Sequence, residues 1–328
     1  MFKYILKRLG ISLLILLGVS FILYALLRAM PTDFIRNKIV ALTQSGADVQ
    51  EELIKTMYKA YGLDGTPIQG YFRWLWNVMH LDFGKSFINK GEVLNEIFDP
   101  SKLGVSFTVA AIATVFEFLV AIPLGVTAAT HQYSIRDYVV TVLVLIGISL
   151  PSFFFGQMLK DFFAIKLGWF PISGITSGDE YANGFQELAD KIRHLFLPIL
   201  TVVILSIGSR MRMTRTNMLE VLNSDYIRTA RAKGLRESKV IYKHAFRNTL
   251  IPLVTGLAGL IPSLFSGAMI TEQVFDLPGM GKFALNAMTQ VDIPVIMTYN
   301  MFLAALSVLG VLLSDLMYAV VDPRVKLA

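Results

Sequence analysis

Cysteine is absent from all 328 residues, which excludes disulfides and thiolate metal sites from this chain. Histidine is scarce, and the four present, His80, His131, His194 and His244, stand too far apart in sequence to suggest a local ligand pair. No metal site is legible. Charge is also thin: Asp, Glu, Lys and Arg make up 16% of the residues, against about 25% in an ordinary soluble domain. The chain has no Gly-x-x-x-x-Gly-Lys-Ser/Thr motif, the loop that cradles nucleotide phosphates. Gly84-Lys85-Ser86 imitates the end of one, but Met79 stands where the first glycine is required. No nucleophile, base and orienting group can be assembled from the spacing, so a membrane-embedded enzyme has no positive support.

What is there instead is apolar surface. Hydrophobic residues reach 54% and aromatics 12%, with a mean hydropathy of +0.58, the composition of an integral membrane protein. The net charge of +6 would point to nucleic acid in a soluble chain. Here the basic residues sit beside apolar runs, the pattern that orients a chain in a lipid bilayer, so no nucleic-acid partner is expected.

Lys3, Lys7 and Arg8 precede an apolar run over 9–27, about 19 residues and roughly 28 Å of helix, enough for one span. A cleaved leader has a shorter apolar region ending in small residues, whereas this run is followed by Arg28 and Pro31. Residues 1–30 therefore read as a cytoplasmic N-terminus and a retained first helix. Residues 31–102 are polar and nearly charge-balanced, with Tyr71, Phe72, Trp74 and Trp76. They are expected outside, as short helices on the membrane surface or a small folded cap.

Residues 103–322 hold five further apolar runs. The second span, 103–130, carries Glu117 near its midpoint and Pro123; the third covers 138–159. The fourth, 195–207, is short and must extend into 209–216, its arginines reaching towards the interface. The fifth, 249–270, is interrupted by Pro252, Gly256, Gly259, Pro262 and Gly267, a density of helix breakers that suits a helix lining a cavity. The sixth, 294–321, leads to a cytoplasmic tail, 323–328. An all-α integral membrane protein with six transmembrane helices, both termini inside and a large external segment after the first helix is predicted. Polar residues within the spans, Glu117, Ser149, Ser152, Gln157, Ser263 and Ser266, are candidates for a translocation path. A carboxylate at mid-bilayer costs about 2.5–3.5 kcal/mol on insertion scales; Glu117 is thus either hydrogen-bonded against another helix or exposed to a water-filled path.

Between the fourth and fifth spans lies a basic loop, 210–248, expected on the cytoplasmic side. It contains Asp225-Tyr226-Ile227-Arg228-Thr229-Ala230-Arg231-Ala232-Lys233-Gly234-Leu235. Asp225 is expected to cap a short helix that Gly234 ends. Small Ala230 and Ala232 would let another surface come close while Arg228, Arg231 and Lys233 offer donors to acidic groups. A second helical pattern is expected over 238–246. Externally, Pro278-Gly279-Met280-Gly281 is a turn signal.

These stretches together resemble the permease subunits of binding-protein-dependent ABC importers, specifically the B-type subunit of the dipeptide, oligopeptide and nickel group. The resemblance is carried by Asp225 to Leu235, Lys243-His244-Ala245-Phe246-Arg247-Asn248-Thr249-Leu250-Ile251-Pro252, Glu272 to Phe275 with Pro278 to Gly281, and Asp292-Ile293-Pro294. Phe83-Gly84-Lys85-Ser86, Ser149-Leu150-Pro151-Ser152-Phe153 and Asp322-Pro323-Arg324 add to it. In the wider superfamily this loop carries Glu-Ala-Ala, three residues, then Gly. Here Arg228-Thr229-Ala230 precedes Gly234, so the contact made by that acid elsewhere does not transfer.

The resemblance implies the type I importer permease fold in a bacterial cytoplasmic membrane, with residues Asp225 to Leu235 as the ATPase-coupling element. It further implies a heterodimer with a homologous C-type permease, two ATPase subunits holding ATP and Mg, and an external substrate-binding protein, with no cofactor in this chain. The expected cargo is a dipeptide or oligopeptide, with nickel or another small solute as the alternative. An ion-coupled secondary transporter acting alone would show more intramembrane charge and a visible repeat.

Overall fold

The structure, a computed structural model, describes residues 2–29, 65–86, 88–178, 181, 183–250 and 259–321. Among them the chain is helical apart from loops and one isolated bridge between Lys85 and Glu92. Four helical segments, Leu6–Ala29, Val93–Thr130, Gly184–Leu222 and Ile293–Asp315, are long and apolar enough to cross a membrane, and a bent pair makes up to five. The described residues fall into two compact units, Met1–Leu103 with Phe283–Leu309 and Gly104–Lys282 with Gly310–Leu327.

In the first unit, α1 (Phe2–Ala29) packs against α2 (Pro67–Met79). Thr66 caps α2, its side chain accepting from the Gln69 amide, and Pro67 occupies the first turn, where its missing N–H loses no bond. Trp74 of α2 is buried with Tyr24 and Leu27 of α1 and with Ile293 and Met297 of a long helix near the end of the chain, Ile293–Val321. Part of the expected external segment is thus a helix with one aromatic face turned into the protein, while Phe72 and Trp76 stay exposed. The rest of that segment up to residue 64 lies outside the described residues. After α2 comes α3 (Val93–Ile97). Ser86 Oγ, buried, donates to buried Asp292 Oδ2 at 2.5 Å and accepts from the Ile88 and Asn89 amides. Two motifs far apart in sequence thus meet.

In the second unit, α4 (Pro100–Thr130), α5 (Ile135–Ser149) and α7 (Gly184–Leu222) share a core of Ala121, Ala128, Val144 and Met211. The third span departs from expectation. It is broken between α5 and α6 (Ser152–Leu159), which continues as a π-helical segment, Lys160–Lys166. Leu150 is extended (φ −83°, ψ 130°) and Pro151 follows it. Proline disfavours the helical region for its predecessor and brings no amide of its own.

The fourth span extends as expected, and further: it lies within the 39-residue α7, which begins at Gly184, before the apolar run, and continues into the start of the basic loop. Its arginines do not all reach for the interface: Arg210 and Arg215 turn inwards to acids on α4 and α5.

After α7 come α8 (Asp225–Ala232), α9 (Glu237–Lys239) and a second π-helical segment, Val240–Phe246. The latter two stand where a second helical pattern over 238–246 was expected. Residues 251–258 of the expected fifth span, Pro252 and Gly256 among them, fall outside the described residues; beyond them comes α10 (Leu260–Ser266), ended by Gly267 at φ +72°. Two short helices, α11 (Met269–Val274) and α12 (Met280–Gln290), flank the expected turn, and α13 (Ile293–Val321) covers the stretch expected as a sixth span. The tail 323–328 lies outside the described residues.

Candidate functional site

An eight-residue helix is marginal in water, so α8 exists because one face of it is buried. Ile227 is 0% exposed and Ala230 7%, three residues apart on one face. They pack with Met218 of α7, Val126 and Ala129 of α4, and Val240 and Ala245 of the second π-helical segment. Two local expectations are corrected. The N-cap is Ser224, in extended conformation, and Asp225 is the first helical residue, where its charge suits the helix N-terminus and lies 3.7 Å from Arg228. Ala230 faces the core, so it offers no close approach to a partner; Ala232 is the alanine that faces out.

The C-terminal end is as expected. Gly234 adopts φ +71°, a backbone region that only glycine enters without strain. The Lys233 amide donates to the Thr229 carbonyl at 3.1 Å, and the Gly234 amide to that of Arg231 at 2.9 Å. Arg231 Nη2 then reaches Glu237 Oε1 at 2.8 Å, tying α8 to the turn that follows. The hydrogen bond from Arg231 holds the Glu237 carboxyl below its ordinary range. Leu235 is half-buried against the cluster beneath α8. Exposed together are Asp225, Tyr226, Arg228, Thr229, Arg231, Ala232, Lys233 and Gly234. That surface carries one aromatic ring and an excess of cationic donors, suited to an acidic partner groove.

The path candidates are not gathered in one place by their bonds. Glu117 is buried, and its Oε1 accepts from Arg210 Nε at 2.9 Å, with the guanidinium lying 4.7 Å over the Phe118 ring. Ser149 Oγ donates to the Leu145 carbonyl, Ser263 to Leu260 and Ser266 to Ser263, each within its own helix. Gln157 donates to Asp161, and Ser152 is half-buried at the start of α6. A second buried ion pair, which sequence reasoning missed, joins Arg215 to Asp137 through both carboxylate oxygens, at 3.0 and 2.9 Å. The only signal for it was the rule that an acid near an apolar span needs a partner.

The motif over 272–281, expected outside, encloses a buried acid whose partners sequence reasoning did not find. Glu272 is fully buried; its Oε1 accepts from Ser106 Oγ at 2.7 Å and its Oε2 from the Lys282 amide at 2.8 Å. Ser106 Oγ in turn accepts from the Met280 amide. A Cβ on Gly279 would lie 2.4 Å from Glu272 Oε2, which explains why the turn needs glycine there. Burial pushes the Glu272 carboxyl above its ordinary range. Among the described residues no group of His, Asp and Glu is arranged to hold a metal ion.

Comparison with known proteins adds an independent line. Residues 121–327 match the family described as binding-protein-dependent transport system inner membrane component, and residues 1–110 match the N-terminal family of the same membrane component. The chain is similar to the oligopeptide transport system permease protein AppB of Bacillus subtilis, 37% identical over 326 residues covering 99% of this chain and 100% of that protein. It is also similar to a putative peptide transport system permease protein of Brucella abortus, 34% identical over 98% of each chain. The dipeptide transport system permease protein DppB of Escherichia coli is 32% identical over 99% of each.

Proposed function

This chain belongs to the family of binding-protein-dependent transport system inner membrane components, and we propose that it is the permease subunit of an ATP-driven peptide importer. The observation that carries the cargo class is similarity over essentially the full length to permeases named for oligopeptide and dipeptide transport. It is a multi-pass membrane protein with partners. Our finer reading is that these are one homologous C-type permease, two ATPases that hold ATP and Mg, and an external binding protein. Six spans with both termini cytoplasmic complete it.

In this reading α8 is the coupling element. Its exposed face, Tyr226, Arg228, Arg231 and Lys233, seats in an ATPase groove. Its inner face, Ile227 and Ala230, transmits the displacement to α4 and α7 through the shared core. Closure of the ATPases on ATP moves α8 as a lever and opens the path outwards; hydrolysis resets it. The polar candidates Ser149, Ser152, Gln157, Ser263 and Ser266 belong to the walls of that path. Glu117, paired with Arg210, holds α4 to α7 instead.

The test is reconstitution of the assembled importer in liposomes with its binding protein, followed by ATP-dependent uptake of labelled dipeptides and longer peptides beside nickel. Peptide accumulation is expected. Accumulation of nickel with no peptide would transfer the chain to the alternative cargo, and uptake that ignores ATP but follows an ion gradient would end the importer reading.

A further inference from the structure

Helix α2 has three sides. Gly70 and Trp74 are buried, with Tyr71, Leu75 and Val78 packed partly beside them. Ile68, Phe72, Trp76 and Met79 recur at spacings of four, four and three residues and so share a second side. Each of them is between 61% and 71% exposed. Gln69 and Arg73, with His80 at the C-terminal cap, are exposed along a third. A helix on the surface of a soluble fold needs only two faces, one for the core and one for water. The extra apolar stripe therefore calls for a cover.

The attachment of α2 fixes what lies around it. The Tyr71 hydroxyl meets Ser20 Oγ at 2.9 Å, and its ring stands edge-on to Phe21 and Tyr24. Trp74 packs on Tyr24 and Leu27, and the Arg28 guanidinium donates to the Gly65 carbonyl just ahead of α2. Residues 20–28 of α1 supply these partners, about 13 Å of helix, and all but Arg28 lie in the apolar run 9–27. Helix α2 thus lies beside the last turns of a segment long and apolar enough to cross a bilayer, not beyond its end. At 13 residues it is too short to cross by itself, since a span needs about 20. Its apolar stripe also continues the surface of α1. Tyr71 has the Phe21 ring on one side and the Phe72 ring on the other, each at 5.5 Å, and both phenylalanines are more than half exposed.

We propose that α2 is an interfacial helix whose Ile68, Phe72, Trp76 and Met79 lie among the lipid acyl chains of the leaflet at the C-terminal end of α1, the outer leaflet in the proposed topology. Gln69, Arg73 and His80 then border the headgroups, and Trp76 stands at the boundary where tryptophan is enriched. The inference goes beyond the importer reading and needs only that α1 spans the membrane. A soluble binding protein fits the stripe less well, because a partner that docks and departs would leave four large apolar side chains in water between visits.

Because the chain has no cysteine, one thiol at a time can carry a nitroxide label on α2. The full-length chain is studied in liposomes of phosphatidylethanolamine and phosphatidylglycerol, and again after assembly with its partner subunits and binding protein. Collision of the label with oxygen, which concentrates in lipid, is compared with collision with a water-soluble nickel chelate. The ratio is expected to favour oxygen several-fold at Ile68→Cys, Phe72→Cys, Trp76→Cys and Met79→Cys, and to reverse at Gln69→Cys and Arg73→Cys. Nickel favoured at every position puts the stripe in water and overturns the proposal. So do stripe labels that meet neither reagent, since protein then covers them; if that exclusion appears only on assembly, the added subunit is the occupant. Should the labels disturb α2, the unlabelled chain in liposomes answers the same question through quenching by lipids with brominated acyl chains. Trp74 is buried while Trp76 and Trp169 are exposed, so Trp76→Phe should remove roughly half of the quenched emission. Quenching unchanged by that substitution also overturns the proposal.

Discussion

Arg215 and Asp137 meet in a two-point ion pair with the carboxylate nearly buried. Removing one partner strands a buried charge and costs about 3–5 kcal/mol, whereas removing both together costs less. Arg215→Ala is therefore expected to lower the melting temperature of the detergent-purified protein more than the double change Arg215→Gln with Asp137→Asn; equal losses would mean the two side chains act independently. Glu272 makes a different prediction. Its folded-state pKa is raised by burial, so its contribution to stability is full below the unfolded value and is lost as pH rises through the folded value. Glu272→Gln keeps the shape without the charge and should flatten thermal stability against pH above the ordinary carboxylate range. A pH profile identical to that of the unmodified chain would contradict the burial argument. Gly279→Ala, by contrast, should destabilise at every pH, since its methyl meets the Glu272 carboxyl. At this scale the sequence announced that Glu117 needs a partner but could not name Arg210, because the two are neighbours only after α4 and α7 pack.

In the proposed function the short helix α8 is the docking element, and its two faces call for opposite experiments. Tyr226→Ala and Arg228→Ala alter only exposed side chains, so normal insertion with weaker co-purification of the ATPases is expected. Full recovery of the ATPases with both variants would count against docking at this face. Gly234→Val forces a branched side chain into φ +71°, a strain of about 1–3 kcal/mol. It should loosen the end of α8 and reduce peptide uptake while the chain still reaches the membrane. Ala230→Trp is not a docking probe, because Ala230 is buried and the larger ring would disrupt the core of Ile227, Met218 and Val240. The Arg231–Glu237 bond is half-exposed on both sides, and Arg231→Ala is expected to change stability by less than about 1 kcal/mol. The helix and its glycine stop were legible from local chemistry. Which face is inward was not, since two alanines and an isoleucine in eight residues fit more than one rotation.

For the molecule as a whole, the cysteine-free chain makes the proposed orientation directly measurable. Arg228→Cys should react with a membrane-impermeant thiol reagent only in inside-out vesicles, and Ile172→Cys, between the third and fourth spans, only from the outer face; the reverse pattern would invert the topology. Composition and run length alone determined that this is a helical membrane protein with a basic loop before its last two apolar runs, because bilayer thickness and the hydropathy of a continuous stretch are local quantities. The resemblance to a family was likewise legible in sequence, because the motifs that carry it are short contiguous stretches. Only the tertiary structure decided what the arginines of α7's extension do, because Arg210 and Arg215 find acids on other helices. It alone placed Ser86 on Asp292 and Ser106 on Glu272. Pairings between distant residues are set by how helices rotate and pack against one another, and no window along a single chain contains both partners.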